Sequence, residues 1–270
     1  VSLRNRHRVG VLVLAIGLAF PMLASAGPAQ AEPSRTRPAA APASDLLGLL
    51  NGLLARLVPM PAPAIPGVAP GLVSQVTGST VRVSGVACGV RLQGSGFSPA
   101  PETIVTNAHV VAGTTRSEVL RPDGRTLPAT VTAFDPVRDL AVLSVPGLGE
   151  PSLGVGSAVV GETDGIFGHP FGQVPIEVSP ARVLRRVTAD IGDIYDRPAS
   201  PRQILVLTSQ IDPGDSGAPL VNSAGQVVGV AFAVSNLRPT TAFAVAAEEI
   251  APVLARPRSA PVSTGRCLDL

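Results

Sequence analysis

A hydroxyl, an imidazole and a carboxylate stand in three short segments of this 270-residue chain, and their neighbours leave each of them available for chemistry. Ser216 sits in Gly214-Asp215-Ser216-Gly217-Ala218-Pro219, His109 in Thr106-Asn107-Ala108-His109-Val110-Val111, and Asp139 in Asp135-Pro136-Val137-Arg138-Asp139-Leu140-Ala141-Val142-Leu143. A serine hydroxyl is a poor nucleophile at neutral pH. It attacks a carbonyl when an imidazole takes its proton and a carboxylate fixes the tautomer of that imidazole. The chemistry these types support together is acyl transfer. Each segment also has a plainer reading. Gly-Asp-Ser-Gly is a turn sequence, His109 lies between apolar runs where a satisfied core histidine would fit, and Asp139 can simply start a strand after the Asp135-Pro136 turn. Those readings account for three backbones and leave three side chains unexplained, so the co-occurrence favours a catalytic set, with Asp135 as the alternative carboxylate.

The chain order His, Asp, Ser is that of the chymotrypsin-type double barrel, whereas Ser, Asp, His and Asp, His, Ser belong to other folds. With Ala87-Cys88-Gly89, Gly94-Ser95-Gly96-Phe97, residues 106–113, residues 178–183, Asp193-Ile194-Tyr195 and Thr264-Gly265-Arg266-Cys267, the chain resembles the trypsin-like serine proteases. Within them it is similar to the periplasmic domain of the actinobacterial acid-resistance (MarP-type) branch, over roughly residues 71–267. The resemblance implies an all-β fold of two six-stranded barrels with a short C-terminal helix. His109 and Asp139 would then lie on the first barrel and Ser216 on the second, with the amides of Gly214 and Ser216 as the oxyanion hole. It places Gln210 on the floor of the S1 pocket, with walls from Phe232, Ala233 and Val234 and from residues 243–245, Phe232 having a core role as its alternative. No acid stands on that floor, so cleavage after Arg or Lys is not expected, and a medium apolar or polar P1 side chain is. His169 is expected to be a turn residue. Two departures stand out: Asp215 and Ala218 replace the Asn and Gly usual in that branch, and its membrane helices are missing. We expect Asp215 to pair with an arginine from the polar stretch 185–203.

Residues 1–31 have a secretory layout, with Arg4, Arg6 and Arg8, an apolar run from 9 to 23, and Ala24-Ser25-Ala26 and Ala29-Gln30-Ala31 as cleavage patterns. An uncleaved signal anchor is the alternative, and membrane association would follow only in that case. The formal charge is +2, and removing three Arg and no acid leaves 18 Arg against 19 acids, a charge of −1, which makes nucleic acid an unsuitable partner. Cys88 and Cys267 are the only cysteines. In an exported chain such a pair tends to close into a disulfide, and two ligands so far apart do not make a zinc site. No cofactor or metal is called for. Protein or peptide substrates are expected, cleaved by a monomer that is secreted or held in the cell envelope.

The apolar fraction is 45% but aromatics are only 3%, so the core must come from Val, Leu, Ile and Ala, while 28 Gly and 28 Pro suit strands and turns. Residues 32–70 read as a Pro/Ala-rich linker carrying a short amphipathic helix at 44–57. The catalytic domain would span 71–270, with barrel one at about 72–147 and barrel two at about 152–250. Strands are expected in barrel one at 80–83, 87–92, 103–106, 118–120, 129–134 and 140–145. In barrel two they are expected at 157–160, 164–168, 176–184, 204–209, 219–221, 227–234 and 241–245, followed by a helix at 246–254. Residues 185–203 read as a mobile loop near the active site. The stop soon after Cys267 leads us to expect no PDZ module. A pseudoprotease scaffold, or a protease held latent by residues 32–70, are the competing functions.

Overall fold

The computed structural model describes residues 70–256 and 260–268. The leader, most of the linker and the 44–57 helix lie outside the described residues. Twelve strands form two closed barrels. The first is built from β1 (Thr80–Ala87), β2 (Val90–Ala100), β3 (Thr103–Thr106), β4 (Ser117–Leu120), β5 (Thr126–Asp135) and β6 (Leu140–Ser144), in the order β1-β2-β3-β6-β5-β4. The second uses β7 (Thr163–Gly168), β8 (Glu177–Ala189), β9 (Arg202–Thr208), β10 (Pro219–Val221), β11 (Val227–Val234) and β12 (Thr241–Ala246), in the order β10-β11-β12-β9-β8-β7. All pairings are antiparallel, so both barrels close without leaving a free edge.

Alternation along each strand decides which core a residue enters. On β6, Ala141 and Leu143 fill barrel one while Leu140 and Val142 face the layer shared with barrel two. On β9, Leu205 and Leu207 point inward and Ile204 and Val206 join the shared layer. On β12 the inward residues are Ala242, Ala244 and Ala246, and the outward Phe243 and Val245 carry the bulk. Many strands are thus apolar on both faces, which is why the sequence reads as unbroken apolar runs. The three largest fully buried side chains, Phe97, Phe167 and Phe243, all lie in the shared layer. Burying each contributes about 2 kcal/mol, so these three phenylalanines are spent on holding the barrels together.

Two arms cross between the halves. α1 (Pro70–Ser79) precedes barrel one but sinks Val76, with Leu72 and Val73 beside it, into the shared layer containing Val221 and Val227 of barrel two. The helix was not expected from the sequence. It is ended by the hydroxyls of Ser79 and Thr80, which donate back to the carbonyls of Gln75 and Val76. At the other end, residues 260–268 return from barrel two to barrel one. The Val262 amide donates to the Val131 carbonyl, the Gly113 amide to Thr264, and the Thr264 hydroxyl to Thr114. Cys267 closes this strap onto Cys88 in a disulfide.

Several expectations are corrected. Cys88 is not inside a strand; it shares a two-residue hairpin turn with Gly89, both at positive φ (47° and 80°), between Ala87 and Val90. No strand forms at 157–160; an isolated bridge joins Val155 to Val227 instead, and barrel two begins at β7. The 185–203 stretch is strand up to Ala189 and again from Arg202. Residues between them are tied down, with Ile191 fully buried, Asp193 ion-paired to Arg197 at 2.6 Å and the Ile194 amide bonded to the Pro136 carbonyl. The expected C-terminal helix is a 3-10 turn, Ala247–Glu249, continuing into α3 (Ile250–Leu254).

Candidate active site

β3 ends at Thr106, and a four-residue helix, α2 (Ala108–Val111), begins two residues later, turning His109 away from the core into which Val110 and Val111 pack. The next element in space is the turn before β6, where Asp139 takes the left-handed conformation, φ 54°. That uncommon backbone state is held by the buried Asn107 amide group, which donates to the Asp139 carbonyl at 2.8 Å. The Asp139 carboxylate then accepts two bonds from one residue: the His109 backbone N–H at 3.0 Å and ring Nδ1 at 2.8 Å. With Asp139 almost fully buried, this pairing places the imidazole Nδ1–H on the carboxylate and leaves Nε2 as the basic nitrogen. Asp135 is otherwise engaged. It accepts the amides of Val137 and Arg138 and pairs with the guanidinium groups of Arg138 and Arg256.

Ser216 lies on the turn between β9 and β10, and the backbone there is accounted for bond by bond. The Pro213 carbonyl accepts Phe171 N–H at 2.5 Å, the Gly214 carbonyl accepts the Ser95 hydroxyl at 2.8 Å, the Asp215 carbonyl accepts Ala218 N–H at 2.9 Å, and the Ser216 carbonyl accepts Ser95 N–H at 2.7 Å. Asp215 and Gly217 donate to Asp212 and Ala231. The amides of Gly214 and Ser216 have no acceptor among the described residues. In a trans peptide the C=O and N–H point opposite ways, so anchoring the Pro213 and Asp215 carbonyls aims those two donors in the other direction. Gly214 sits at φ 110°, and a Cβ there would meet the His169 carbonyl oxygen at 2.4 Å, so no other residue fits.

The two halves of the site touch through backbone. A Cβ on Gly94 would lie 2.6 Å from a Val110 methyl and 2.7 Å from the Ser216 carbonyl oxygen, and one on Gly217 would lie 2.1 Å from the Ser95 carbonyl oxygen. The residue after His109 and the nucleophile turn therefore flank a single glycine. No hydrogen bond joins the Ser216 hydroxyl to His109; in an unliganded site this contact is often long and tightens when substrate binds.

Asp215 is placed otherwise than expected. Its carboxylate, 3% exposed, accepts the Asp212 amide at 2.9 Å and meets no arginine among the described residues; burial pushes its pKa up to about 6. Of the arginines in the 185–203 stretch, Arg186 pairs with Glu248, Arg197 with Asp193, and buried Arg202 donates to the carbonyls of Val137 and Gly192, and none of the four pairs with Asp215. His169 does sit in a turn, but its ring is buried and bonded to the Gln173 carbonyl at 3.0 Å, and burial, followed by nearby Arg82, lowers its pKa. Of the residues assigned to the S1 pocket, Gln210 is exposed, Ala233 half-buried and Val234 exposed. The Phe232 ring packs 6.4 Å from Phe243 in the shared layer, the core role that was its alternative. Phe232 is the extra residue of a bulge in β11, between Ala231 and Ala233. The site residue the sequence did not single out is Ser95; its flanking glycines, Gly94 and Gly96, were the available signal.

The profile of the trypsin-like peptidase domain matches residues 94–230. The chain belongs to that family. It is 35% identical to the serine protease Rv3671c of Mycobacterium tuberculosis over 240 residues, 83% of this chain and 60% of the relative, so it spans well under two thirds of that protein's length. It is 41% identical to the mitochondrial serine protease HTRA2 of Bos taurus over 143 residues, 51% of this chain and 30% of the relative. Among solved structures, the active form of the M. tuberculosis Rv3671c protease superposes with a TM-score of 0.72 at 33% identity, covering 79% of this chain and 98% of that one. An inactive form of the same protease gives 0.64 at 32% identity, covering 75% and 100%. The double barrel and the disulfide agree with the sequence reading, and the chain is similar to serine proteases of the Rv3671c and HTRA2 kind.

Proposed function

We propose that the chain is an exported serine endopeptidase that hydrolyses peptide bonds in cell-envelope or extracellular proteins. In this reading Ser216 attacks the scissile carbonyl, His109 Nε2 takes its proton and returns it to the leaving amine, and Asp139 holds the imidazole and stabilises its cation. The amides of Gly214 and Ser216 receive the oxyanion; such donors are worth about 3 to 4 kcal/mol of transition-state stabilisation each. The observation that carries the proposal is the combination of the bidentate Asp139–His109 contact with two acceptorless amides bracketing Ser216. Export is supported by the secretory layout of residues 1–31, by the disulfide and by likeness to periplasmic DegP-like endoproteases. A role in acid or oxidative stress rests on the family resemblance. Gln210 and Val234, both exposed, are the residues we assign to P1 recognition, for a medium apolar or polar side chain.

The test is covalent labelling with a fluorophosphonate probe. We expect modification of Ser216 that is lost in Ser216→Ala and falls by several orders of magnitude in His109→Ala. A wild-type protein that stays unlabelled, or that labels equally without His109, overturns the assignment.

A further inference from the structure

Ser95 on β2 belongs to barrel one, yet it binds the nucleophile turn of barrel two from both sides. Its hydroxyl donates to the Gly214 carbonyl at 2.8 Å, its amide donates to the Ser216 carbonyl at 2.7 Å, and its hydroxyl also accepts the His169 amide at 2.9 Å. The Thr106 hydroxyl fixes the Ser95 carbonyl at 2.6 Å, and Ser95 itself is fully buried. We propose that Ser95 is a positioning residue for the reaction, whose hydroxyl and amide set the direction of the Gly214 and Ser216 amides that receive the oxyanion. The inference rests on the reading given under Proposed function and deepens it.

The argument is one of peptide planes. Each residue that bears an oxyanion donor sits between two planes, its N–H lying in the first with the preceding carbonyl, and each plane is held by what its carbonyl accepts. Around Ser216 those carbonyls belong to Asp215, held by Ala218, and to Ser216, held by the Ser95 amide. Around Gly214 they belong to Pro213, held by the Phe171 amide, and to Gly214, held by the Ser95 hydroxyl. Ser95 therefore supplies one of the two ties at both donors. It also governs the fourth tie, because Phe171 belongs to the turn Pro170–Gly172 that His169 leads, and the His169 amide ends on the Ser95 oxygen. Phe171 is itself at φ 54°, an arrangement that needs anchors at its ends.

A serine hydroxyl has one proton to donate and lone pairs to accept, and here both functions are used. Alanine supplies neither. The barrels approach closely around Ser95, since Gly94, Gly96 and Gly217 are all places where a Cβ would come within about 3 Å of neighbouring atoms. When the hydroxyl is removed, the Gly214 carbonyl and the His169 amide are left without partners in a buried interface, and rotation of the planes beside Gly214 relieves them at the expense of the donor geometry. Because substrate side chains bind elsewhere, the loss falls on the tetrahedral state.

The experiment compares wild type, Ser95→Ala and Ser95→Cys, the last of which keeps nearly the same volume while its thiol is a weak donor. All are measured with one peptide substrate, with a peptidyl aldehyde that forms a tetrahedral adduct, and with the matching peptidyl alcohol that does not. Near-UV circular dichroism and melting confirm the fold. We expect kcat to fall on the order of 10- to 100-fold in both variants with KM within about twofold. Aldehyde affinity should weaken in parallel with kcat/KM while alcohol affinity stays. Wild-type kcat in either folded variant, or equal weakening toward aldehyde and alcohol, overturns the role of Ser95 alone. If wild type does not react with a fluorophosphonate at Ser216, the triad reading fails and this inference falls with it.

Discussion

Two pairs of buried carboxylates, one pair in each barrel, are treated in opposite ways. In barrel one, Asp135 and Asp139 have partners for both oxygens: arginines and amides for the first, the ring and amide of His109 for the second. In barrel two, Asp193 is paired with Arg197, but Asp164 on β7 is buried with neither oxygen hydrogen-bonded, and Asp215 has the Asp212 amide as partner to one oxygen. Burial, reinforced by Glu162, pushes Asp164 up to about 7. Barrel one fixes a side chain by means of other side chains, whereas barrel two fixes its nucleophile by backbone bonds and carries carboxyl groups that are most at ease protonated. Side-chain precision lies in barrel one, and carboxyl groups raised by burial lie in barrel two.

The largest effect that would break this contrast is expected at Asp139. Asp139→Asn should lower kcat by on the order of 10³- to 10⁴-fold with the fold intact, since the amide favours the wrong tautomer of His109. Asp135→Asn should instead destabilise, by about 3 kcal/mol through its uncompensated arginines, and leave kcat within a few-fold. Steady-state kinetics and urea unfolding on the two variants separate the roles, and an exchange of phenotypes would move the orienting function to Asp135. In barrel two the matching lesion is a backbone one. Gly217→Ala, at φ 87° and against the Ser95 carbonyl, should abolish measurable turnover and lower stability by about 2 to 4 kcal/mol. A variant with normal kcat would show that the turn is not held by close backbone approach.

The disulfide comes next. Cys88→Ser with Cys267→Ser opens a loop of 179 residues, for which chain entropy gives about 5 kcal/mol, to be read as a lower denaturation midpoint. The smallest effect sharpens the contrast through pH. A carboxyl whose folded pKa is raised contributes stability that is complete below its unfolded value near 4 and is lost as pH rises through about 7. Asp164→Asn should therefore melt higher than wild type at pH 8 and show a smaller difference between pH 5 and pH 8. A wild-type protein that gains stability from pH 5 to 8 relative to the variant would contradict the assignment of Asp164.

What could be read from the sequence follows from where the information is local. Strands such as β3, β6, β9 and β12 are continuous apolar runs bounded by turn residues, and they were located within a residue or two. The His109–Asp139 contact was legible because both residues stand in segments whose side chains had no other account. α1 was missed because its apolar positions serve the far barrel, so its neighbours in sequence do not explain it. The turn at Cys88 was missed because a β-forming stretch is overridden there by the disulfide and by Gly89. The arginine expected beside Asp215 was an argument from cost alone; the protein leaves the charge unpaired and lets burial shift the proton equilibrium instead. Ser95 was passed over because its meaning lies in backbone atoms more than one hundred residues away.

The crossing arms of α1 and the 260–268 strap have a consequence for the order of events during synthesis. Barrel one is translated first, but three of its contacts, at Gly113, Thr114 and Val131, and its one covalent closure await residues 262–267, which emerge after the whole of barrel two. Such long-range contacts make folding slow. Until residues 262–267 have been delivered, barrel one therefore stays without those ties, and its closure is among the last events of folding.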